Sequence, residues 1–250
     1  MRLTWLGHST VLIEDGGGRL LTDPVLRARV GHLRRNVPVP DPPDEVDAVL
    51  LSHVHYDHLD LPSLRTLGRD RPLLAPRGAG ALLHRKGFTT VEELLPGDRT
   101  TVGGVAVRAT HADHDAQRSL FGKTPSLGYV VEGELRAYFA GDTGVFPEMA
   151  DIGEDLDVAL LPVAGWGRRL PPGHLDPAGA VEALALLRPR AAVPIHWGTY
   201  RQVGMSSDPE RTRGPAEEFR RLAGERAPEV RVILLAVGES TEVAAADLRG

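Results

Sequence analysis

Short apolar segments, separated by glycine- and proline-rich turns, run along the whole chain. Apolar and β-branched residues in such short runs predict β-strands, here over residues 2–6, 10–15, 19–22, 46–51, 105–110, 127–132, 135–140, 158–161, 191–195 and 230–237. The glycine triplet at 16–18 predicts a hairpin turn between the second and third strands. The chain therefore begins as a β-rich structure.

Three segments have the features of helices instead. The first follows Asp60 and Pro62 and carries leucines at helical spacing. The second covers 177–187 and begins after Asp176, a good N-cap followed by a proline. The third covers 215–223 and begins with a proline that follows a glycine.

Helices interspersed among two β-rich halves predict an α/β fold in which two sheets pack together and are covered by helices. No linker divides the chain convincingly, so we expect one domain over residues 1–250. The proline-rich segment 24–45 is too long for a simple connection, which indicates either a functional or a flexible loop.

Charge and composition narrow the chemistry. A net charge of −5 gives no general attraction to nucleic acid or to anionic membranes. The sequence contains no cysteine, so a metal would have to be bound by histidine and carboxylate. Neither a signal peptide nor an apolar run long enough for a membrane span is present, and a soluble cytoplasmic protein is the default expectation. The sequence leaves the oligomeric state open, homo-oligomer included.

Histidines and aspartates recur just after predicted strands. Because strands that end at one edge of a sheet bring their loops to a common crevice, we expect these side chains to converge. They are His53, His55, Asp57, His58, His111, Asp142 and His196.

The spacing inside the segment "HVHYDH" at 53–58 suits two metal ions. Residues two apart in an extended segment point the same way, so His53 and His55 can share one ion. The turn that follows directs Asp57 and His58 to an adjacent position. Two ions can hold a hydroxide between them and stabilise both the attacking and the leaving oxygen.

These motifs resemble those of the metallo-β-lactamase superfamily of binuclear hydrolases. The segments "TWLGHSTVLIE", "LTDPV", "VDAVLLSHVHYDHLD", "YFAGDTG", "GHLDP" and "AVPIHWGTY" are similar to the branch that contains N-acylphosphatidylethanolamine-hydrolysing phospholipase D and ascorbate-6-phosphate lactonase. The resemblance covers nearly the whole chain. It implies a four-layer αββα sandwich of the metallo-β-lactamase type.

The resemblance also implies a ligand set for two divalent metal ions, with zinc expected ahead of manganese or iron. His53, His55 and His111 would hold the first ion, the second would lie on Asp57, His58 and His196, and Asp142 would bridge them. The rival for His111 is His114, and His111 is preferred because it directly follows the strand.

Several further residues are assigned by their motifs or positions. His8 and Asp23 match family motifs, and we expect both to support the ligands, with Asp23 bracing the histidine loop. His32 and His84 are expected at the surface. Arginines in loops are usually solvated charges, but three of them could bind an anionic substrate: Arg118, Arg168 and Arg169.

The expected function is hydrolysis by a dinuclear-metal-bound hydroxide, on a phosphodiester of a small anionic molecule. Asp57 would orient the hydroxide and take its proton, and His174 would either assist the leaving group or hydrogen-bond a ligand carboxylate or its own loop. The alternatives are a lactonase or other carboxylic-ester hydrolase, and a metal-binding protein without turnover. The sequence shows no amphipathic stretch suited to membranes, so phospholipid hydrolysis is not expected.

Overall fold

Two seven-stranded β-sheets form the centre of the computed structural model, which describes residues 1–118, 122–166, 170–205 and 209–246. The strands are β1 (Arg2–Gly7), β2 (Thr10–Asp15), β3 (Gly18–Thr22), β4 (Arg29–Val30), β5 (Leu33–Arg35), β6 (Ala48–Leu50), β7 (Leu73–Pro76), β8 (Val91–Leu94), β9 (Arg99–Val102), β10 (Val105–His111), β11 (Ala116–Arg118), β12 (Gly122–Thr124), β13 (Leu127–Glu132), β14 (Arg136–Phe139), β15 (Val158–Pro162), β16 (Ala191–Ile195), β17 (Tyr200–Gln202), β18 (Arg231–Val232) and β19 (Ser240–Glu242). The helices are α1 (Leu61–Thr66), α2 (Gly80–Arg85), α3 (Met149–Ile152), α4 (Pro177–Leu187) and α5 (Pro209–Arg226).

Each large sheet has an antiparallel and a parallel part. The first has the strand order β19-β1-β2-β3-β6-β7-β8, antiparallel up to β3 and parallel from β3 onward. The second has the order β18-β16-β15-β14-β13-β10-β9, antiparallel from β9 to β14 and parallel from β14 to β18. The parallel strands place several chain ends at the same sheet edge, where loops can meet.

The core confirms the predicted four-layer arrangement. The inner faces of both sheets share one apolar cluster, which includes Trp5, Ile13, Tyr129 and Phe139. A second cluster lies between the second sheet and helices α3, α4 and α5, and a third lies between the first sheet and helices α1 and α2. The order of layers is therefore helix, sheet, sheet, helix.

Two hydrogen bonds tie the sheets together directly behind the segment "HVHYDH". The backbone N–H of Leu127, at the start of β13, donates to the carbonyl of Ser52 at 2.9 Å. The buried hydroxyl of Tyr129 donates to the carbonyl of Leu51 at 2.8 Å. Both acceptors follow strand β6 in the first sheet, so the histidine segment begins at a fixed point between the sheets.

Most predicted elements are present. The helix over 177–187 is α4, and Asp176 caps it by accepting from the N–H of Gly179 at 2.8 Å. Asp60 caps α1 in the same way, as its position before Pro62 predicts. Local signals of this kind depend on neighbouring residues only, which is why the sequence reveals them.

Other elements differ from the predictions. The run at 230–237 is wrong as a long strand: only Arg231–Val232 pairs with β16, and the rest connects to β19. Helix α5 begins at Pro209 instead of Pro215, which lies inside the helix at the loss of one backbone hydrogen bond. Strands β7, β8 and β9 and helix α2 were not predicted. Strand β8 lies at the edge of its sheet and carries exposed glutamates, so it lacks the apolar pattern that predicts a strand.

The proline-rich segment 24–45 is partly ordered into a hairpin. Strands β4 and β5 pair around Gly31, and β5 pairs with β17 in a small three-stranded sheet. The buried guanidinium of Arg35 fixes this hairpin by donating to the carbonyls of Leu6 and Val25 and to the hydroxyl of Tyr200. The segment therefore forms a defined wall beside the first sheet.

No helix in the described part of the chain is both long and apolar enough to cross a membrane.

The contacts of Asp60 lead to a stability prediction. Its buried carboxylate accepts from the N–H and hydroxyl of Ser63 and from the guanidinium of Arg27 at 2.6 and 2.8 Å. We expect Asp60→Ala to lower the free energy of unfolding by about 2 kcal/mol or more, because it removes a cap and leaves a partly buried arginine without its partner. Urea unfolding followed by circular dichroism measures this loss.

Asp176→Ala is the matched control, because it removes only an N-cap that is exposed to solvent. Its expected cost is about 1 kcal/mol. Equal losses in the two variants would show that the pairing of Asp60 with Arg27 contributes nothing measurable.

Candidate metal centre

Loops from both sheets meet at one edge of the sandwich. His8 follows β1, the segment 53–58 follows β6, and His114 follows β10. Asp142 follows β14 and His196 follows β16. The convergence expected from the sequence is therefore present, with the first sheet supplying one side of the crevice and the second sheet the other.

Three histidines form the first group: His53, His55 and His114. The Nδ1 atom of His55 lies 3.1 Å from Nε2 of His53 and 3.1 Å from Nε2 of His114. Zinc–nitrogen bonds of about 2.0–2.1 Å place tetrahedral ligand atoms about 3.3 Å apart. The observed spacing is therefore that of three ligands around a single ion.

Two histidines of this group already have a hydrogen-bond partner for the ring nitrogen that faces outward. Nδ1 of His114 donates to the carbonyl of Gly173 at 2.9 Å. Nδ1 of His53 donates to the hydroxyl oxygen of Ser52 at 2.9 Å, because the hydroxyl hydrogen is given to Asp23. In both rings the lone pair is therefore on Nε2, the atom that faces the centre of the group.

A second group lies next to the first and contains His8, Asp57, His58 and His196. All four side chains are buried, and the rings of His53 and His58 lie 4.0 Å apart, so the two groups are neighbours. Nδ1 of His58 donates to Asp23 and Nδ1 of His196 donates to the carbonyl of Ala164, each at 2.7 Å. Their Nε2 atoms again point inward.

Asp142 lies between the groups. Its Oδ2 atom is 3.2 Å from Nε2 of His58, and its Oδ1 atom is 3.3 Å from Nε2 of His196. The same carboxylate also belongs to a cluster with His114 and His174. It is therefore placed to contact ions in both groups.

Buried atoms without partners support metal binding at this place. Nε2 of His58, Nε2 of His196 and Oδ1 of Asp142 are buried, and none of them has a partner with hydrogen-bond geometry among the described residues, although both nitrogens lie close to the carboxylate. Leaving such a group unsatisfied costs about 1–3 kcal/mol. The three atoms face one another, and a cation between them would satisfy all three. The residues thus fit a metal ion, and nitrogen and carboxylate donors suit zinc, manganese or iron.

The pKa shifts of the histidines differ in direction. Burial lowers the pKa of His114 to about 4, so its ring is neutral at neutral pH. Burial also lowers the pKa of His58, but the surrounding carboxylates, that of Asp142 first, outweigh it and raise the net value well above the usual one. Burial raises the pKa of Asp142, but His196 and His58 lower it more strongly, so the carboxylate is ionised. Positive charge is therefore favoured at His58, beside its carboxylates, whereas burial disfavours it at His114.

Asp23 braces the histidine segment, as expected. Its carboxylate accepts from the N–H and hydroxyl of Ser52 and from Nδ1 of His58. The residue is fully buried and has a φ of 30°, a left-handed conformation that costs energy outside glycine. Several contacts together must therefore hold it in place.

The structure places His114, and not His111, next to His53 and His55. His111 ends strand β10 with its side chain exposed, and its ring packs against Phe146 instead of the other histidines. The loop after the strand is needed to turn a side chain into the crevice, and His114 is the residue that this loop delivers. The position of His111 directly after the strand therefore does not bring its ring to the other histidines.

His174 lies at the mouth of the site. Its Nε2 atom is 3.3 Å from Oδ2 of Asp142, and its Nδ1 atom is 3.1 Å from the carbonyl of Pro171. Burial lowers its pKa, but the contact with Asp142 outweighs this and raises it. The side chain therefore contacts both the carboxylate and its own loop, and it also faces the adjoining pocket.

Two residues near Asp57 complete the site. Nε2 of His8 lies 3.1 Å from Oδ2 of Asp57, and burial together with His196 lowers the pKa of His8 to about 3. Neutral His8 therefore donates its Nε2 hydrogen to the carboxylate. Nε1 of Trp166 donates to the same oxygen at 2.9 Å.

Sequence reasoning gave His8 only a general supporting role and missed Trp166. A tryptophan between two glycines, just after strand β15, was the available signal. Arg168 and Arg169 lie outside the described residues, as does the side chain of Arg118.

A pocket of about 360 Å³ opens onto the centre. Its polar side is formed by His55, Asp57, Asp142 and His174. The β4–β5 hairpin, Trp166 and Pro171 complete the lining. A small molecule in this pocket would lie against the candidate metal ligands.

Comparisons with known proteins agree with this architecture. An uncharacterized protein of Mycobacterium tuberculosis is 36% identical over 226 residues, which is 80% of this chain and 59% of that protein. This chain thus spans about three fifths of the mycobacterial relative. A protein of Methanopyrus kandleri named as a metal-dependent hydrolase is 35% identical over 252 residues, covering 97% of this chain and 100% of the relative.

Further matches lie in the expected branch and fold. An N-acyl-phosphatidylethanolamine-hydrolyzing phospholipase D of Caenorhabditis elegans is 34% identical over 227 residues, 79% of this chain and 64% of that enzyme. The solved structure of a metallo hydrolase from Ignicoccus hospitalis matches with a TM-score of 0.74 and 26% identity, covering 97% of this chain and 99% of that one. A family model described as a beta-lactamase superfamily domain matches residues 18–197. With that match and the αββα core in agreement, the chain belongs to the metallo-β-lactamase-fold superfamily.

Proposed function

We propose that this protein is a hydrolase that uses two divalent metal ions. His53, His55 and His114 would hold one ion, and Asp57, His58 and His196 the other, with Asp142 between them. The observation that carries this proposal is the set of buried, mutually facing atoms of His58, His196 and Asp142 without hydrogen-bond partners in the described part of the chain. A relative named as a metal-dependent hydrolase, similar over 97% of this chain, supports it.

Bound divalent ions would lower the pKa of a water molecule towards neutrality and polarise the scissile group. The chain supplies the remaining functions. Asp57 is ionised, because contacts with His58 and His8 outweigh the effect of burial and lower its pKa, and it can accept a proton. His8 and Trp166 both donate to its Oδ2 atom, which fixes the orientation of the carboxylate.

His174 is the candidate proton donor for a leaving group. It faces the pocket, and the interaction with Asp142 favours its protonated form. The N-cap of helix α4, Asp176, lies two residues later, so the backbone that carries His174 is held firmly on one side. The proposed role is proton donation to the departing oxygen.

The preferred substrate class is a phosphodiester. The relative from Caenorhabditis elegans is named for the hydrolysis of such a bond and is 34% identical over most of this chain. A diester carries one negative charge, which the two ions would neutralise. The second candidate is a lactone or another carboxylic ester, which is favoured by the absence of Lys and Arg among the described residues that line the pocket.

The first prediction concerns metal content. Wild-type protein loaded with zinc or manganese should hold about two ions per chain, measured by plasma mass spectrometry after gel filtration. His114→Ala should lose about one ion, because it removes a ligand from the first group. His111→Ala is the matched control and should keep both; loss of metal in the His111 variant alone would contradict the ligand set.

The second prediction concerns substrates. Bis(p-nitrophenyl) phosphate should be hydrolysed faster than p-nitrophenyl phosphate, because the dianionic monoester needs a further cationic group. Hydrolysis of a β-lactam should be negligible. Release of p-nitrophenolate and lactone titration with the metal-loaded protein measure these rates.

A clear preference for lactones in the same series would favour the second candidate. No turnover of any ester by protein that contains two ions would contradict the hydrolase proposal and indicate a metal-binding protein.

The third prediction concerns His174. His174→Ala should lower kcat by about 100-fold while metal content and melting temperature stay near the wild-type values, since the residue is proposed to transfer a proton and not to hold metal. His84→Ala removes a histidine on α2 whose Nδ1 donates to the carbonyl of Phe88, and it should leave the rate unchanged. If His174→Ala lost metal and stability in proportion to activity, the contact with Asp142 would be structural.

A further inference from the structure

We propose that the pocket beside the metal centre binds an uncharged, apolar substrate group of about the size of an aromatic ring, and that Trp166 selects this group. The inference rests on the proposed hydrolase function and specifies the part of the substrate next to the bond that is cleaved. The observations that carry it are the distribution of polar and apolar side chains around the pocket and the contacts that fix Trp166.

The pocket has two chemically different sides. Its polar groups belong to the metal centre, where His55, Asp57 and Asp142 line one side. The apolar part of the lining includes the aliphatic side chains of Val30 and Leu33 and the rings of Trp166 and Pro171. A volume of about 360 Å³ is within the range of small-molecule sites.

Among the described lining residues, the carboxylates belong to the metal centre. None of the described lining residues is Lys or Arg, and the carboxylates present are those of Asp57 and Asp142. A negatively charged substituent next to the apolar lining would lose hydration without gaining a Lys or Arg partner among the described lining residues, which is costly. An apolar group gains free energy from the same transfer, at roughly 25 cal/mol per Å² buried.

Trp166 is held in a defined orientation before any ligand arrives. Its Nε1 atom donates to Asp57 at 2.9 Å, and the ring of His32 packs edge-on at a centroid distance of 4.9 Å. A rigid aromatic surface binds a second ring with little loss of side-chain entropy. Because the indole also orients Asp57, a group that packs on Trp166 lies beside the carboxylate proposed to accept a proton.

The β4–β5 hairpin next to Trp166 is fixed as well. Val30 and Leu33 are buried on either side of the turn at Gly31, whose φ is 54°. Arg35 attaches this hairpin to the carbonyls of Leu6 and Val25. Trp166 packs against the apolar cluster that contains Val30 and Leu33, so its position relative to the hairpin is set by the fold.

The test compares two phosphodiester probes, diphenyl phosphate and dimethyl phosphate, of which only the first carries aromatic rings. Binding to metal-loaded protein is measured by isothermal titration calorimetry. Diphenyl phosphate should bind about 10-fold more tightly or better, as expected from burial of a ring. Trp166→Ala should abolish this preference.

Two further variants separate packing from hydrogen bonding. Trp166→Phe keeps an aromatic ring but removes the donor to Asp57, so the binding preference should remain while kcat for phenyl p-nitrophenyl phosphate falls. Leu33→Ala should weaken the preference for diphenyl phosphate, because it removes apolar surface from the pocket lining. Val39→Ala is the matched control, because Val39 lies in the same segment, is 43% exposed and does not line the pocket.

The outcomes distinguish this inference from the proposed function. Equal affinity for the two probes, failure of both to bind, or a preference that survives in well-folded Trp166→Ala would overturn the inference. If the protein hydrolyses no diester, the phosphodiesterase proposal fails, while the ratio of the two dissociation constants still decides what the pocket binds.

Discussion

The buried carboxylate of Asp23 is the contact on which the candidate metal centre depends. It holds the start of the histidine segment through Ser52 and the ring of His58 through Nδ1, and the same serine orients His53. One negative charge therefore sets the tautomers of rings in both ligand groups. Removing it would leave the inward-facing nitrogens without a fixed direction, even if every candidate ligand were still present.

Local backbone strain accompanies this arrangement. His8, Asp23 and His196 all have left-handed φ values, and the N–H of His196 donates to the carbonyl of His8 at 2.9 Å. Residues in such conformations persist when the surrounding structure over-determines them. Here the cost is concentrated at the sheet edge, where the strands must end abruptly to bring side chains from two sheets together.

The sequence predicts the parts of the site that are encoded locally. The segment "HVHYDH", Asp142 and His196 were identified because they follow apolar strands directly, and the start of α1 and the cap at Asp176 because prolines lie close to them. His114 and Trp166 could not be assigned in this way, since their positions depend on how loops fold across the crevice. Likewise, edge strand β8 and the interior position of Pro215 are decided by packing that no short sequence window contains.

The two ties between the sheets, from Leu127 to Ser52 and from Tyr129 to Leu51, have a mechanical consequence. Candidate ligands to one ion come from opposite sheets, so the gap between the sheets sets the size of the coordination cavity. Metals differ in preferred bond length and geometry. A change in the volume of the core side chains around Tyr129 would therefore alter this gap, and with it the metal preference, without changing any candidate ligand.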